Sequence, residues 1–358
     1  MKELTRAFLA VFAVSFGLMY LVHVLNASEG YGGDNTVTVF NWGDYIDEEL
    51  IARFEEETGY KVVYETFDSN EAMLTKIAQG GTSYDVAVPS EYMVARMIEE
   101  ELLVPLDHGK LPNLVHIDPR FLDMSFDPGN RYSVPYFWGT VGIAFNPSML
   151  PEDLTFESWN DLWDPRLENE ILLVDGAREV IGMGLNSLGY SLNSTDEREL
   201  LEAKAKLDLL TPNVKAIVGD EIKMLMAQEE AAVALVWSGD AAEIMWENEN
   251  VDYVVPREGS NLWFDLMVIP TTAKNIEGAH AFINFMLDPE AAAQNAEYVG
   301  YSTPNRSAMD ILPEDIVGDE RFYPDDELIS RLEVYENLGR RMLARYNDLF
   351  LEFKMHRK

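Results

Sequence analysis

The 358-residue chain contains no cysteine. That excludes disulfides, thiolate chemistry, Cys-ligated zinc and a lipid-modified N-terminal cysteine. Positive charge is scarce: 27 Lys and Arg stand against 63 Asp and Glu, for a net charge of −36. Such a chain repels the phosphates of nucleic acid and favours a cationic partner. The five histidines, His23, His108, His116, His280 and His356, lie far apart and in no metal-ligand spacing. No phosphate-loop, zinc-protease or nucleophile-elbow motif occurs. Beyond residue 25 no apolar run approaches the ~18 residues of a membrane span, so the chain does not read as a multi-span transporter.

The N-terminus carries the one long apolar run. Lys2 and Arg6 lead into residues 7–25, broken only by Ser15 and His23. Leu25-Asn26-Ala27 is a poor cleavage site, because small residues are preferred at both −3 and −1. The pattern predicts a signal peptide or an N-terminal membrane anchor over 1–27 and a flexible spacer over 28–35. Either way the rest of the chain is placed outside the cytoplasm. With 47% hydrophobic residues, 7 Trp, 16 Tyr and 17 Phe, that remainder has ample core material.

Strands and helices alternate from residue 36. Strand 36–40 leads to helix 47–58, stopped by Gly59 at a left-handed cap position. Strand 61–66, a helix capped by Ser69, strand 84–88 and helix 91–101 follow. A second series holds strand 171–174 with a helix to about 188, strand 232–236 with another helix, and strand 251–255. Helices 275–287 and 290–298 come next, and from Pro324 onward the pattern is mostly helical, with Leu343, Tyr346, Leu349, Phe350 and Phe353 on one face of the last helix. Successive strand–helix units imply mostly parallel sheets flanked by helices. Extended stretches near 140 and 263 read as crossings between two lobes. The predicted N-terminal lobe takes 36–140 and 264–309, and the C-terminal lobe 141–263 and 310–358.

Ligands of open α/β sheets bind beyond the carboxyl ends of the strands. There the sequence places Trp42, Asp44 and Tyr45; Ser90, Glu91 and Tyr92; Asp175, Arg178 and Glu179; Trp237, Ser238 and Asp240; Trp263 and Asp265; and Tyr301. Some of these acids would serve equally as helix caps or first-turn charges. Rings and carboxylates recurring at several strand ends describe a site for an amine. An ammonium is attracted to each ring face by ~0.5–2 kcal/mol and makes charge-assisted hydrogen bonds to carboxylates. Flat rings would cover the methylene stem of a linear polyamine. The same carboxylates could also hydrolyse a glycoside, since that pairing is spatial. Ferric sites want clustered tyrosines with an anion, and sugar sites want more Asn, Gln and Arg.

The stretches N-W-G-D-Y-I, F-D-S-N-E-A-M, Y-D-V-A-V-P-S-E-Y, S-V-P-Y-F-W-G-T, D-G-A-R-E-V, L-W-F-D and G-Y-S-T-P-N run in order from about residue 36 to the C-terminus. Together they resemble the spermidine/putrescine-binding proteins of bacterial polyamine ABC importers. The resemblance implies a two-lobed periplasmic-binding-protein fold that closes on its ligand. It implies no catalysis, and it implies an ABC permease and ATPase as partners; no cofactor is expected, nor, from the histidine spacing and the absence of cysteine, a metal. It assigns Trp42, Asp44 and Tyr45 to a first ligand loop, where the best-known members carry Glu as the acid, and Ser90 and Tyr92 to a second. It makes Glu179 an amine-holding acid, Trp237 and Trp263 aromatic walls, Asp265 a central acid and Tyr301 a ring contact. Tyr335 falls where better-known members have Gln. Those members read D-D-A-R-E where this chain has D-G-A-R-E, so Gly176 stands in place of an expected acid. Asp240, an acid those members lack, or Glu91 is then expected to take over one terminal amine.

Overall fold

Asp47, with its carboxylate on the Glu49 N–H, starts the helix Glu48–Thr58, and Gly59 at φ 77° ends it. Between these signals Leu50 and Phe54 face the core. Ser69 caps the helix Asn70–Gln79 through the Ala72 N–H, a contact of the kind that contributes about 1 kcal/mol. These local signals recur through the computed structural model, which describes residues 35–80 and 82–356. The leader expected over 1–27, and all but the last residue of the spacer, lie outside the described residues. Among the described residues no helix is long and apolar enough to cross a membrane.

Among the described residues nine strands form: β1 (Thr36–Trp42), β2 (Lys61–Phe67), β3 (Val86–Ala87), β4 (Ser133–Phe145), β5 (Ile171–Val174), β6 (Val214–Val218), β7 (Val233–Trp237), β8 (Asp252–Val254) and β9 (Leu262–Val268). Their order is β2-β1-β3-β9-β4-β7-β5-β6, with β8 beside β4. β1 lies parallel to β2 and β3. β5 lies parallel to β6 and β7. Those are the strand–helix units, whose helices cover both faces. Val37, Val39, Val233, Ala234 and Leu235 are all fully buried as a result.

The two crossing strands pair antiparallel instead. β4 pairs with β9 from Ser133 to Thr140, then changes partner and pairs with β7 from Val141 to Phe145. One strand thus belongs to two sheets, and each sheet with its helices makes one lobe of a two-lobed α/β fold. The two glycines in this crossing permit close approach. A Cβ at Gly139 would meet the Trp263 ring and the Ser238 hydroxyl at 2.4 Å, and one at Gly142 would meet the Val254 carbonyl at 2.5 Å.

Two differences from the sequence pattern stand out. Among the described residues past Pro324, only Asp326–Ile329 and Gly339–His356 are helical. Residues between them run extended along the start of β9, where Leu262 N–H bonds to the Glu333 carbonyl and Glu333 N–H to the Ser260 carbonyl. Those tertiary hydrogen bonds outweigh the local helical preference. The helix Glu197–Leu210, strand β6 and the helix Glu221–Ala227 complete the second lobe. The last helix buries Tyr346, Leu349, Phe350 and Phe353, as its spacing predicts.

Candidate ligand site

The carboxyl ends of β1 and β3 and the middle of β9 meet at one carboxylate. Asp265 is 7% exposed. It accepts the Tyr45 hydroxyl on Oδ2 at 2.7 Å and the Ser90 hydroxyl on Oδ1 at 2.7 Å. The antiparallel pairing of β9 with β3 sets this up, because it continues into a bridge between Ser90 and Asp265. Asn70, buried at the start of its helix, orders the pair from behind. Its amide donates to the Ser90 and Tyr92 hydroxyls at 3.0 and 3.1 Å, and its carbonyl accepts the Ser90 N–H. The Trp42 indole nitrogen is buried without a hydrogen-bond partner. It lies near enough to Asp265 to help hold that carboxylate.

Rings enclose the carboxylate. Tyr301 meets Tyr45 and Trp263 edge to face, each with centroids 5.3 Å apart. Tyr45 also packs on Phe137 at 5.1 Å and Tyr136 at 5.7 Å. Trp42 leans on Phe67 at 4.5 Å. Gly239 makes the seat for Tyr301: a Cβ there would fall 0.9 Å from a ring carbon. The Tyr301 hydroxyl points to Asp240 Oδ1 at 3.4 Å. Trp237, half-buried, closes β7 and begins the helix Ser238–Glu247.

The acids share a physical state. Burial pushes Asp265 up to about 6, against its hydrogen bonds. Burial pushes Asp240 up to about 7; Lys223 opposes the rise, and Asp220 and Glu243 add to it. Glu91 is pushed up to about 8 by burial, while the Phe264 N–H it accepts at 3.0 Å works the other way. Glu179 is raised as well, chiefly by burial, with Arg178 and the Tyr335 hydroxyl opposing. For each of these carboxylates burial outweighs the groups that favour the charged form, and such groups cluster at functional sites. Glu179 also feels Glu71, and Tyr92 feels Glu179. Glu179, beyond the end of β5, therefore lies close enough to Glu71 and Tyr92, beside β1 and β3, for their charges to act on one another.

Several of the candidates lie together in the structure. Trp42, Tyr45, Ser90 and Asp265 form one cluster, Trp263 and Tyr301 wall it, and Asp240 joins through Tyr301. Tyr92 joins through Asn70. Asp44 stands apart: it is exposed, in a left-handed conformation at φ 50°, and its charge acts on Tyr64. Glu91 points at the Phe264 backbone and is 1% exposed, so it braces β9 from inside. Asp175 pairs with Lys354 on the surface. Asn70, Tyr136 and Gly239 were not marked by residue type alone; a buried Asn one residue after a serine cap is the one local signal. Among the described residues no group of three or more His, Cys, Asp or Glu could hold a metal ion.

The chain is similar in sequence and fold to known proteins. A family model described as bacterial extracellular solute-binding protein matches residues 49–322. The chain is 39% identical over 341 residues to the spermidine/putrescine-binding periplasmic protein of Salmonella typhimurium, covering 95% of both chains. It is 32% identical over 315 residues to the putrescine-binding periplasmic protein PotF of Escherichia coli, covering 83% of this chain and 85% of that one. Among solved structures it is similar to the spermidine/putrescine ABC transporter substrate-binding protein PotD of Streptococcus pneumoniae, with 58% identity, a TM-score of 0.85, and coverage of 90% of this chain and all of that one. A match over most of the chain, on a two-lobed fold with its strand ends facing one cleft, places the protein in the bacterial extracellular solute-binding protein family.

Proposed function

We propose that the protein captures a linear polyamine, spermidine or putrescine, between its lobes and delivers it to an ABC permease and ATPase complex. One observation carries this reading. Asp265 lies buried among aromatic rings, held by two hydroxyls, with a raised pKa and no basic side chain among the groups acting on it. An ammonium would supply the missing charge and gain desolvated, charge-assisted hydrogen bonds. Trp42, Tyr45, Trp263 and Tyr301 would cover the methylene stem. Asp265 would hold one ammonium, with Glu179 and Asp240 available to others. Asp44, Ser90, Tyr92 and Trp237 would line the mouth and walls. The relatives' names, which specify spermidine and putrescine binding, support the same ligand class.

The lobes we propose are 36–140 with 264–309, and 141–263 with 310–358, hinged at the crossing strands. Closure of one on the other would bury the ligand. The relatives are named as periplasmic, which supports an extracytoplasmic location; tethering through residues 1–27 is part of the proposal. The role needs binding and release and no bond-breaking.

The test is calorimetric titration of residues 28–358, refolded free of carried-over ligand, with putrescine, spermidine, cadaverine and a disaccharide. One-to-one binding of putrescine or spermidine, with no heat from the disaccharide, is the expected result. Heat from the sugar alone would overturn the polyamine reading.

A further inference from the structure

β4 and β9 pair antiparallel, and their register slips at the central carboxylate. Pro135 lies opposite Leu266 and Phe137 opposite Asp265, so Tyr136 is an extra residue in a bulge at the level of Asp265. Adjacent residues of a regular strand point to opposite faces. The bulge breaks that alternation. The Tyr136 and Phe137 rings lie 4.5 Å apart between centroids, and both pack on Tyr45, at 5.7 and 5.1 Å. Bulges re-aim side chains in this way beside functional sites.

The re-aimed Tyr136 hydroxyl supports the first ligand loop from behind. It donates to the Tyr45 carbonyl at 2.7 Å and accepts the Asn295 amide at 2.8 Å. Asn295 sits on the helix Pro289–Val299 and is 1% exposed. Its side-chain carbonyl accepts the Asp47 N–H at 2.9 Å. Its neighbour Gln294 donates to the Asp47 carboxylate at 2.7 Å. Side chains from two distant parts of the chain thus clamp the backbone on both sides of Ile46. The loop needs that support, because Asp44 is left-handed at φ 50°. A residue other than glycine keeps such a conformation where its surroundings hold it. Tyr45 is therefore fixed at two points, its carbonyl on Tyr136 and its hydroxyl on Asp265 at 2.7 Å.

We propose that Tyr136 and Asn295 are positioning residues for ligand capture: by clamping the backbone at Tyr45 and Asp47 they hold the Tyr45 hydroxyl on Asp265, and so set the geometry in which that carboxylate takes an ammonium. The inference rests on the polyamine reading of the site and extends it to two residues whose polar atoms are engaged by the protein itself. Tyr45, Tyr136, Tyr301 and Glu91 are the titratable groups that the Asp265 charge reaches, and Ser90 and Trp42 also act on it as hydrogen-bonding groups.

Tyr136→Phe keeps the ring and removes the hydroxyl, which leaves the Tyr45 carbonyl and the Asn295 amide without these partners in a buried place. Putrescine affinity, measured by calorimetry at pH 8, should fall by about tenfold. Asn295→Ala should act in the same direction. The Tyr45 hydroxyl favours the charged form of Asp265, so its displacement should raise the pH at which Asp265 titrates in the ligand-free protein, read by carbon NMR. In a Tyr45→Phe background that hydroxyl is already gone. There, adding Tyr136→Phe should leave the Asp265 titration unmoved, and the two affinity losses should fall short of multiplying. A role in packing alone would lower the melting temperature and move neither reading. A folded Tyr136→Phe protein with affinity within about threefold of wild type, or with an unmoved Asp265 titration, would overturn the proposal. Asn295→Ala decides on the same two readings should Tyr136→Phe fail to fold. Wild type that binds neither amine would instead sink the polyamine reading, while the Asp265 titration, which needs no ligand, would still test the clamp.

Discussion

Replacing Asp265 with Asn should move stability and affinity in opposite directions. The side chain is 7% exposed. Burial raises its pKa from 3.8 to about 6. A folded-state pKa above the unfolded one means the fold favours the protonated acid. Stability from that source is full below about pH 4 and lost as pH rises through about 6. At neutral pH a shift of about two units corresponds to about 3 kcal/mol of cost to the ligand-free fold. Asn mimics the protonated acid in shape. Its oxygen can still accept the Tyr45 hydroxyl, and its amide can turn to the Ser90 oxygen. Ligand-free Asp265→Asn should therefore be more stable than wild type by about 1–3 kcal/mol in denaturant unfolding at pH 7.5. Binding should suffer, because a buried ammonium loses its counter-charge. Breaking a buried ion pair from one side costs about 3–5 kcal/mol, or about 10²–10⁴ in affinity. Denaturant melts and calorimetric titration read the two effects. A variant that is less stable than wild type, yet binds putrescine and spermidine within about tenfold of it, would refute the argument.

Glu91→Gln should keep polyamine affinity within about threefold, because Glu91, pushed up to about 8, is largely neutral at pH 7 and its Phe264 contact survives in Gln; a larger loss by calorimetry would make Glu91 an amine partner. Lowering the pH from 8 to 5 protonates Asp240 and Asp265, raised to about 7 and about 6, so polyamine affinity should fall across that window while the melting temperature of the ligand-free protein rises. Asp240→Asn should weaken at least one polyamine by about tenfold at pH 8, and unchanged titrations would remove Asp240 from the site. Gly239→Ala places a Cβ 0.9 Å from the Tyr301 ring, so the ring must leave its seat, at a cost of about 1–3 kcal/mol in unfolding experiments and with weakened binding.

Local signals made the framework legible. Ser69, Gly59 and the valines of β1 each specify their own neighbourhood, and the structure forms the elements they announce. The gathering of rings and carboxylates at strand ends was legible for the same reason, since every strand in a parallel unit delivers its carboxyl end to one side. Pairings between distant residues were not. Tyr45 and Asp265 are 220 residues apart, and their hydrogen bond depends on β9 entering antiparallel beside β3. Burial was equally hidden: Asp44 and Glu91 both flank aromatics in the sequence, yet one is exposed and the other 1% exposed in the core. The extended run along β9 at Glu333 escaped for a related reason, because its partners lie more than seventy residues earlier.

The central claim is that the cleft reads positive charge on a short carbon stem. Titrating the ligand-free protein at pH 8 with putrescine and, separately, with 1,4-butanediol tests it most directly, since the two share a stem and differ in charge. The account predicts one-to-one binding of the diamine and no measurable binding of the diol. Comparable affinity for both, or binding of the diol alone, would contradict it.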